Sequence, residues 1–422
     1  MKRIITVVCC LSILVPALQG EVMAQHMLEA RSLGMAGSNA AAATGLEYLG
    51  GNPAFLAFGR EYSFELVPFS ARLKVSNNSF SLDDYNTYFT SGEVLSGEDK
   101  DRIYSRIPDE GLMLDAVGGL EAISFSFSSV GFALVAEGNG VMELPRQTAE
   151  FLFYGNTRSD RISFNELETD GWAGITVNMA FSSQLSEDMF GALDRLSAGI
   201  NLKYIRGLAC AELIRAEGGV LTTDQYILAD GLVNFRTSEG GNGFGADIGF
   251  AASAGSDWNF SLSLNNILGS IKWTSENEMR IYQYQSDSLS AGGDESFDYS
   301  EHDTTFSTGA FHTALSRSVT LAAAFRPAEK LLITAAWRQG INESLGGTYR
   351  PRVSLGAEYS LLRQLPLRGG LAFGGRDDLA LGLGIGLVIR GFRMDIGYLN
   401  HSFGWFNSAR SVDLAFTTRL RF

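Results

Sequence analysis

Proline, cysteine and charge are all sparse in this chain: 8 prolines, 3 cysteines and 19% charged residues among 422 positions. Cys9 and Cys10 fall in an apolar stretch near the N-terminus, so only Cys210 remains beyond it. A single thiol excludes an internal disulfide, and the fold must be held by hydrogen bonding and packing, with Cys210 expected as a free thiol, buried or facing the wall. Beyond Ala24 no run of 18 or more apolar residues occurs, which excludes a spanning helix there. The four histidines, His26, His302, His312 and His401, lack the short paired spacing of a zinc site, so no metal and no cofactor is expected. The formal charge is −14, and loss of Lys2, Arg3 and Glu21 with a leader makes it −15 (−14 − 2 + 1), which argues against a nucleic-acid partner.

Glycine is plentiful (48 residues) and aromatics reach 11%, a composition that disfavours helix and suits pleated strands joined by tight turns. The first residues read as an export signal. Lys2 and Arg3 give a positive start, residues 4–18 are apolar, and Val22-Met23-Ala24 offers a small-residue cleavage site before Gln25, so residues 1–24 are expected to be a signal peptide.

From about residue 171 the dominant period is two. Val412, Leu414, Phe416, Leu420 and Phe422 alternate with Asp413, Ala415, Thr417, Arg419 and Arg421. Likewise Leu381, Leu383, Ile385 and Leu387 alternate with Gly382, Gly384 and Gly386, and Val353, Leu355 and Tyr359 with Arg352, Ser354 and Glu358. Alternation alone also fits a soluble sandwich. The runs, however, are about 10 to 15 residues long, matching the roughly 9 to 11 needed to cross a bilayer at a tilt rather than the ~5 to 6 of globular strands.

Strands are expected near 61–75, 120–128, 130–138, 171–184, 195–208, 243–255, 257–273, 306–326, 331–341, 350–363, 365–375, 379–390, 391–403 and 409–422. Their connections alternate between short and mostly longer, the asymmetry of bacterial barrels. The reading is an all-β, transmembrane antiparallel barrel of about fourteen strands over residues 60–422, in the bacterial outer membrane. Because unpaired backbone is costly in hydrocarbon, the first strand must pair with the last. Leu82, Tyr85, Phe89, Ile103 and Ile107 recur at helical spacing and predict short helices within 81–118, and the polar stretch 274–305, with Asp294, Glu295, Asp298, Glu301 and Asp303, predicts a mobile surface loop.

Ahead of the first strand lies Ala30-Arg31-Ser32-Leu33-Gly34-Met35-Ala36-Gly37, then Ala40 to Ala43, then Gly51-Asn52-Pro53-Ala54-Phe55. This arrangement resembles the N-terminus of the FadL-like (long-chain fatty-acid transporter-like) outer-membrane barrels. The resemblance implies an N-terminal hatch plugging the lumen, at about residues 25–59, with Leu33, Gly34, Gly37, Asn52, Pro53 and Ala54 as its motif. It also implies uptake of hydrophobic small molecules, fatty-acid-like, that leave through a lateral opening in the wall. The terminal Phe422, with apolar residues at alternate positions before it, resembles the signal read by the barrel-assembly machinery. Outer-membrane lipid, a hydrophobic small molecule and that machinery are therefore the expected partners. Small residues suit a plug because they let backbones approach closely.

Inward phase is assigned to Asp247, Arg338, Arg352, Glu358, Arg390, Arg393, Asp395, Asp413 and Arg419, whose mixed signs suggest mutual pairing and hatch anchoring. Gly241-Asn242-Gly243-Phe244-Gly245 reads as a strand entry rather than a nucleotide loop, since Ala246, Ile248 and Phe250 continue the strand. His401-Ser402 is expected in a surface loop and, with no orienting acid or oxyanion donor identified, does not make a hydrolase. The expected function is thus non-enzymatic passage of hydrophobic molecules, with a scaffold or docking barrel for protein export or surface attachment as the rival. A lumen packed solid would favour the rival.

Overall fold

In this computed structural model the chain forms an antiparallel β-sheet closed on itself. The structure describes residues 28–422 apart from 50, 57, 59–62, 91, 93, 155–160, 186–192, 224–225, 291–297, 376–378 and 402–407. The proposed leader, His26, Asp294, Glu295 and Ser402 lie outside the described residues.

The strands are β1 (Phe64–Asn77), β2 (Leu112–Phe127), β3 (Val130–Leu144), β4 (Ile162–Ser163), β5 (Glu168–Leu185), β6 (Arg195–Thr222), β7 (Tyr226–Ser238), β8 (Gly240–Ala254), β9 (Trp258–Ser275) and β10 (Glu278–Ser290). They continue as β11 (Asp298–Ser307), β12 (Phe311–Ala314), β13 (Ser318–Ala328), β14 (Leu331–Gly340), β15 (Arg352–Leu362), β16 (Leu365–Gly374), β17 (Leu379–Ile389), β18 (Phe392–Asn400) and β19 (Ser411–Arg421). Fourteen make the wall: β1, β2, β3, β5, β6, β8, β9 and β13 to β19, each hydrogen-bonded to the next. The ring closes where β1, already paired with β2, also pairs with β19 from Glu65↔Arg421 to Ser76↔Ser411.

One end of the barrel carries tight turns. Ser128 (φ 51°) and Arg390 (φ 53°) enter the positive-φ region that two-residue hairpins require, and Gly255 (φ 65°) does so in the turn between β8 and β9. Arg390 is therefore an exposed turn residue and not an inward one, a correction to the alternation reading. The other end carries the long connections, with helical segments at Leu82–Asp84, Gly97–Ser105 and Arg146–Tyr154. The 81–118 expectation overshoots, because β2 already begins at Leu112.

Two further corrections arise at this loop end. The second half of β6 leaves the wall and pairs with β7, β7 with β10, and β10 with β11, so the expected mobile loop at 274–305 is in part a sheet standing above the barrel. The strand expected at 306–326 is broken into β12 and β13, which pair with separate parts of β9: β12 with 270–273 and β13 with 258–265. Between them, residues 266–269 of β9 leave the ladder, with Asn266 (φ 54°) and Leu268 (φ 56°) in left-handed conformation.

The wall is inverted relative to a soluble sheet. On β19, Val412 and Leu414 face outward and are exposed while Asp413, Thr417 and Arg419 are buried; on β1, Leu73 and Val75 are exposed while Arg72 and Lys74 are buried. Such a surface is stable only against an apolar medium. Replacing Leu414, 48% exposed at mid-strand, with lysine is expected to destabilise the barrel by about 2–4 kcal/mol in lipid vesicles, read by denaturant unfolding; an unchanged midpoint would show that this face does not meet hydrocarbon.

Candidate functional site: the lumen

The described residues among 28–58 lie inside the ring, in the half nearer the turn end, and the wall is shaped to take them. At Gly34 an added Cβ would stand 2.8 Å from Gly384 Cα, and at Gly397 one would stand 2.2 Å from the Ala30 carbonyl oxygen. Both are closer than real Cβ contacts allow, so glycine at these positions is a requirement of the close approach. Leu33 is fully buried among Ala30, Ala372, Ala380, Leu399 and Ala415. Gly37 (φ 81°) precedes the short helix Ser38–Ala41 in left-handed conformation.

The Asn52-Pro53-Ala54 turn is held from both sides. Asn52 Nδ2 donates to the Phe250 carbonyl (2.7 Å) and to Ser261 Oγ (2.8 Å), while its Oδ1 accepts from Ala54 N (2.9 Å). The Ala54 carbonyl accepts from Ser182 Oγ and Ser197 Oγ, each at 3.0 Å. These bonds satisfy polar groups that burial would otherwise penalise by about 1–3 kcal/mol each.

An ionic network ties the same segment to the wall. Arg31 bridges Glu47 (2.7 Å) and Glu358 (2.8 Å); Arg368 bridges Glu358 (2.6 Å) and Asp395 (2.8 Å); Arg393 also meets Asp395 (2.7 Å). Arg419 pairs with Glu29, with Glu65 (3.1 Å) and with Glu47 (3.2 Å), and Arg421 with Glu65 (2.9 Å). Five guanidiniums thus face five carboxylates, which is what makes burying them tolerable. Burial pushes the Glu47 carboxyl up, but Arg31, Arg393 and Arg421 outweigh it and hold it below the usual carboxylate range.

Of the residues assigned inward from sequence, Glu358, Arg393, Asp395 and Arg419 meet in this network. Asp413 instead takes a two-pronged bond from Arg72 (2.9 and 2.7 Å), with His401 Nε2 4.0 Å away, so His401 is a buried lumen residue rather than part of an exposed rim. Asp247 accepts from Lys203 Nζ and Asn201 Nδ2, both at 2.8 Å. Arg338 and Arg352 stand opposite each other on β14 and β15, Arg338 donating to Thr320 Oγ1 (3.2 Å). Phe422 closes the seam: its N–H donates to the Phe64 carbonyl (2.9 Å) and its carbonyl accepts from Ser63 N–H (2.9 Å). Sequence reasoning missed Arg31, Glu47, Glu65 and Arg368; the signal available was a charge at a segment or strand phase that faces inward.

The loop end is closed differently. Residues 341–348 fold across the mouth, and Leu345 (φ 52°) is buried with Trp172, Ile205, Ile271, Trp273 and Leu315. Asn139 Nδ2 anchors the Leu345 carbonyl (2.7 Å), and Trp273 Nε1 donates to Thr313 Oγ1 (2.9 Å). Inward glycines seat this cluster too: a Cβ at Gly207 would lie 2.5 Å from Trp273 Cζ3, and one at Gly243 2.9 Å from Ile271 Cγ1. The glycine motif at 241–245 therefore makes room for aromatic and aliphatic side chains at the start of β8.

This apolar cluster adjoins the break in the wall. Leu315 N–H donates to the Gly269 carbonyl (3.0 Å) and Asn266 Nδ2 to the Ser316 carbonyl (2.8 Å) across the break, while on the other side of β9 Asn266 N–H donates to Asp247 Oδ1 (2.8 Å) and Asn266 Oδ1 accepts from Lys203 Nζ (2.6 Å). The ladder between β9 and its neighbours β12 and β13 is thus interrupted over residues 266–269.

Solved structures of the same architecture exist. The chain is similar to the Pseudomonas putida toluene transporter TodX (12% identity, 93% of this chain and 98% of that one, TM-score 0.52) and to the Ralstonia pickettii toluene transporter TbuX (12%, 93% and 98%, TM-score 0.50). A deltaS2 mutant of the TodX monoaromatic hydrocarbon channel matches with TM-score 0.54 at 12% identity, over 93% of this chain and 98% of that one. At such identities the likeness establishes the fold, which is that of the FadL-like outer-membrane barrels. No curated protein matches the sequence. A family model does, over residues 53–239 and 230–398, and on that evidence the chain belongs to the family described as Family of unknown function (DUF5723).

Proposed function

We propose that this protein is an integral outer-membrane barrel, exported by the signal at residues 1–24, that passes hydrophobic small molecules across the outer membrane without chemical change, and that residues 25–59 act as its hatch. The observation that carries the reading is the apolar cluster of Trp172, Trp273, Leu315 and Leu345 lying directly against the side-chain-bridged break at residues 266–269. A molecule that displaces Leu345 would sit among these side chains beside the place where the ladder between β9 and its neighbours β12 and β13 is interrupted, a lateral route to lipid. That the fold relatives TbuX and TodX are toluene transporters supports the same reading. Fatty acids and monoaromatics are both compatible substrates. The turn end is taken to face the periplasm, and Phe422 to be the residue read by the assembly machinery.

The scaffold reading draws on a specific observation as well: both ends of the lumen are filled, one by residues 28–58 and the other by residues 341–348. Cross-linking separates the two. Oxidising an Asn266→Cys/Ser316→Cys variant should at least halve accumulation of radiolabelled toluene or decanoate by cells expressing it, with recovery on reduction; unchanged uptake would overturn the lateral route, and no uptake by the wild type would favour the scaffold. For the hatch, Gly397→Val should leave a heat-modifiable barrel on a gel while exposing residues 25–59 to added protease, because the new side chain collides with the Ala30 backbone. Undiminished protection would contradict a seating that depends on this glycine.

A further inference from the structure

The apolar cluster at the loop end is occupied by the chain itself. Leu345 is buried among Trp172, Ile205, Ile271, Trp273 and Leu315. It enters in left-handed conformation (φ 52°, ψ 47°), which crowds the Cβ of any residue other than glycine. Its carbonyl accepts from Asn139 Nδ2 (2.7 Å). A strained loop residue, with its side chain in an apolar pocket and its carbonyl on a polar anchor, stands where a ligand of like chemistry would bind.

Two polar atoms beside Leu345 are unmatched. A carbonyl only accepts, so the Asn139 amide must turn its nitrogen to Leu345, and its other atom is an oxygen. That oxygen, Oδ1, is buried without a hydrogen-bond partner, and so is Nε1 of Trp172, a side chain 7% exposed. Asn139 on β3 and Trp172 on β5 are directly opposed in the ladder, which sets their Cβ atoms roughly 4.5–5.5 Å apart on one face. One atom only accepts and the other only donates, yet they do not bond each other. A hydroxyl between them satisfies both, accepting from the indole and donating to the amide. A hydrocarbon satisfies neither, and a carboxylate has no proton for Oδ1. The charged pair beside the cluster is already committed: Arg236 lies over the Phe311 ring (3.9 Å) and pairs with Glu212, which also accepts from Thr313 Oγ1 (3.0 Å).

We propose that this cluster takes an uncharged apolar molecule bearing one hydroxyl, which replaces the Leu345 side chain and bridges Trp172 Nε1 and Asn139 Oδ1. Leu345 is then a displaceable plug that marks the site. The inference rests on the transport reading for the role of the cluster and names the ligand class that the apolar route selects. Binding at equilibrium requires no passage, so the cross-link result and the binding result are independent.

The test is calorimetric titration of the full chain in detergent with 4-methylphenol, toluene and 4-methylanisole, corrected for partition into micelles. The three have similar outlines, but toluene lacks the oxygen and 4-methylanisole lacks the proton. The phenol should bind at one per chain and about tenfold tighter than either of the others, as two added hydrogen bonds imply. Trp172→Phe should narrow the ratio between the phenol and toluene to about twofold. Leu345→Gly, which removes the plug and suits the left-handed backbone, should tighten all three probes severalfold. The three-probe comparison on the wild type decides the matter should a variant fail to fold. Equal affinities, the result expected if a trapped water already satisfies the pair, would overturn the proposal and leave the transport reading standing. Unchanged binding in a folded Leu345→Gly variant would overturn it as well, and no binding of any probe at millimolar concentration would overturn both readings.

Discussion

Every backbone N–H and C=O that faces hydrocarbon must find a partner within the protein, and an open sheet leaves two edges without one. The pairing of β1 with β19 removes both edges, and the rest of the architecture depends on that closure. Once the ring is closed, each strand has one face toward the apolar medium and one toward an enclosed lumen, which fixes the period of two along the chain. Exposed leucines and buried arginines then result from the same constraint. The lumen inherits the polar face, so its charges must either meet water or meet one another. The network around Glu47, Glu358 and Glu65 shows them meeting one another and the segment threaded between them.

Glycine is the second device that the closed ring calls for. A barrel of this size that admits a chain segment must bring two backbones together without side chains intervening. Gly384 against Gly34, and Gly397 against the Ala30 carbonyl, do this on β17 and β18. The same device on β6 and β8 makes room for Trp273 and Ile271 at the other end. Wall glycines thus seat a hydrogen-bonded chain segment near the turn end and an apolar cluster near the loop end, with the interrupted β9 beside the latter.

Much of this was legible in the sequence because alternation is a local signal. All fourteen wall strands were found, β19 and β17 nearly to the residue, since Val412/Asp413 or Leu383/Gly384 betray their faces pair by pair. What escaped was non-local. The sheet of β7, β10 and β11 pairs outside the membrane, where both faces meet solvent and the period of two loses its contrast; Asp303 on β11 looks like loop chemistry until Arg280 is seen across the ladder. The break at residues 266–269 was hidden because Leu264, Ile267 and Ile271 keep a run apolar while its register slips. Of the lumen charges, Arg419 and Asp395 could be assigned a face but not a partner, because their partners Glu29 and Arg368 lie far away in sequence.

On the proposed function, the barrel interior holds an apolar molecule that residues 25–59 seal in. Native mass spectrometry on protein extracted in mild detergent, compared with a variant lacking residues 25–59, tests this most directly. An apolar small molecule should be bound to the intact barrel and absent from the folded deletion variant. A folded barrel that carries no such molecule in either form would contradict it.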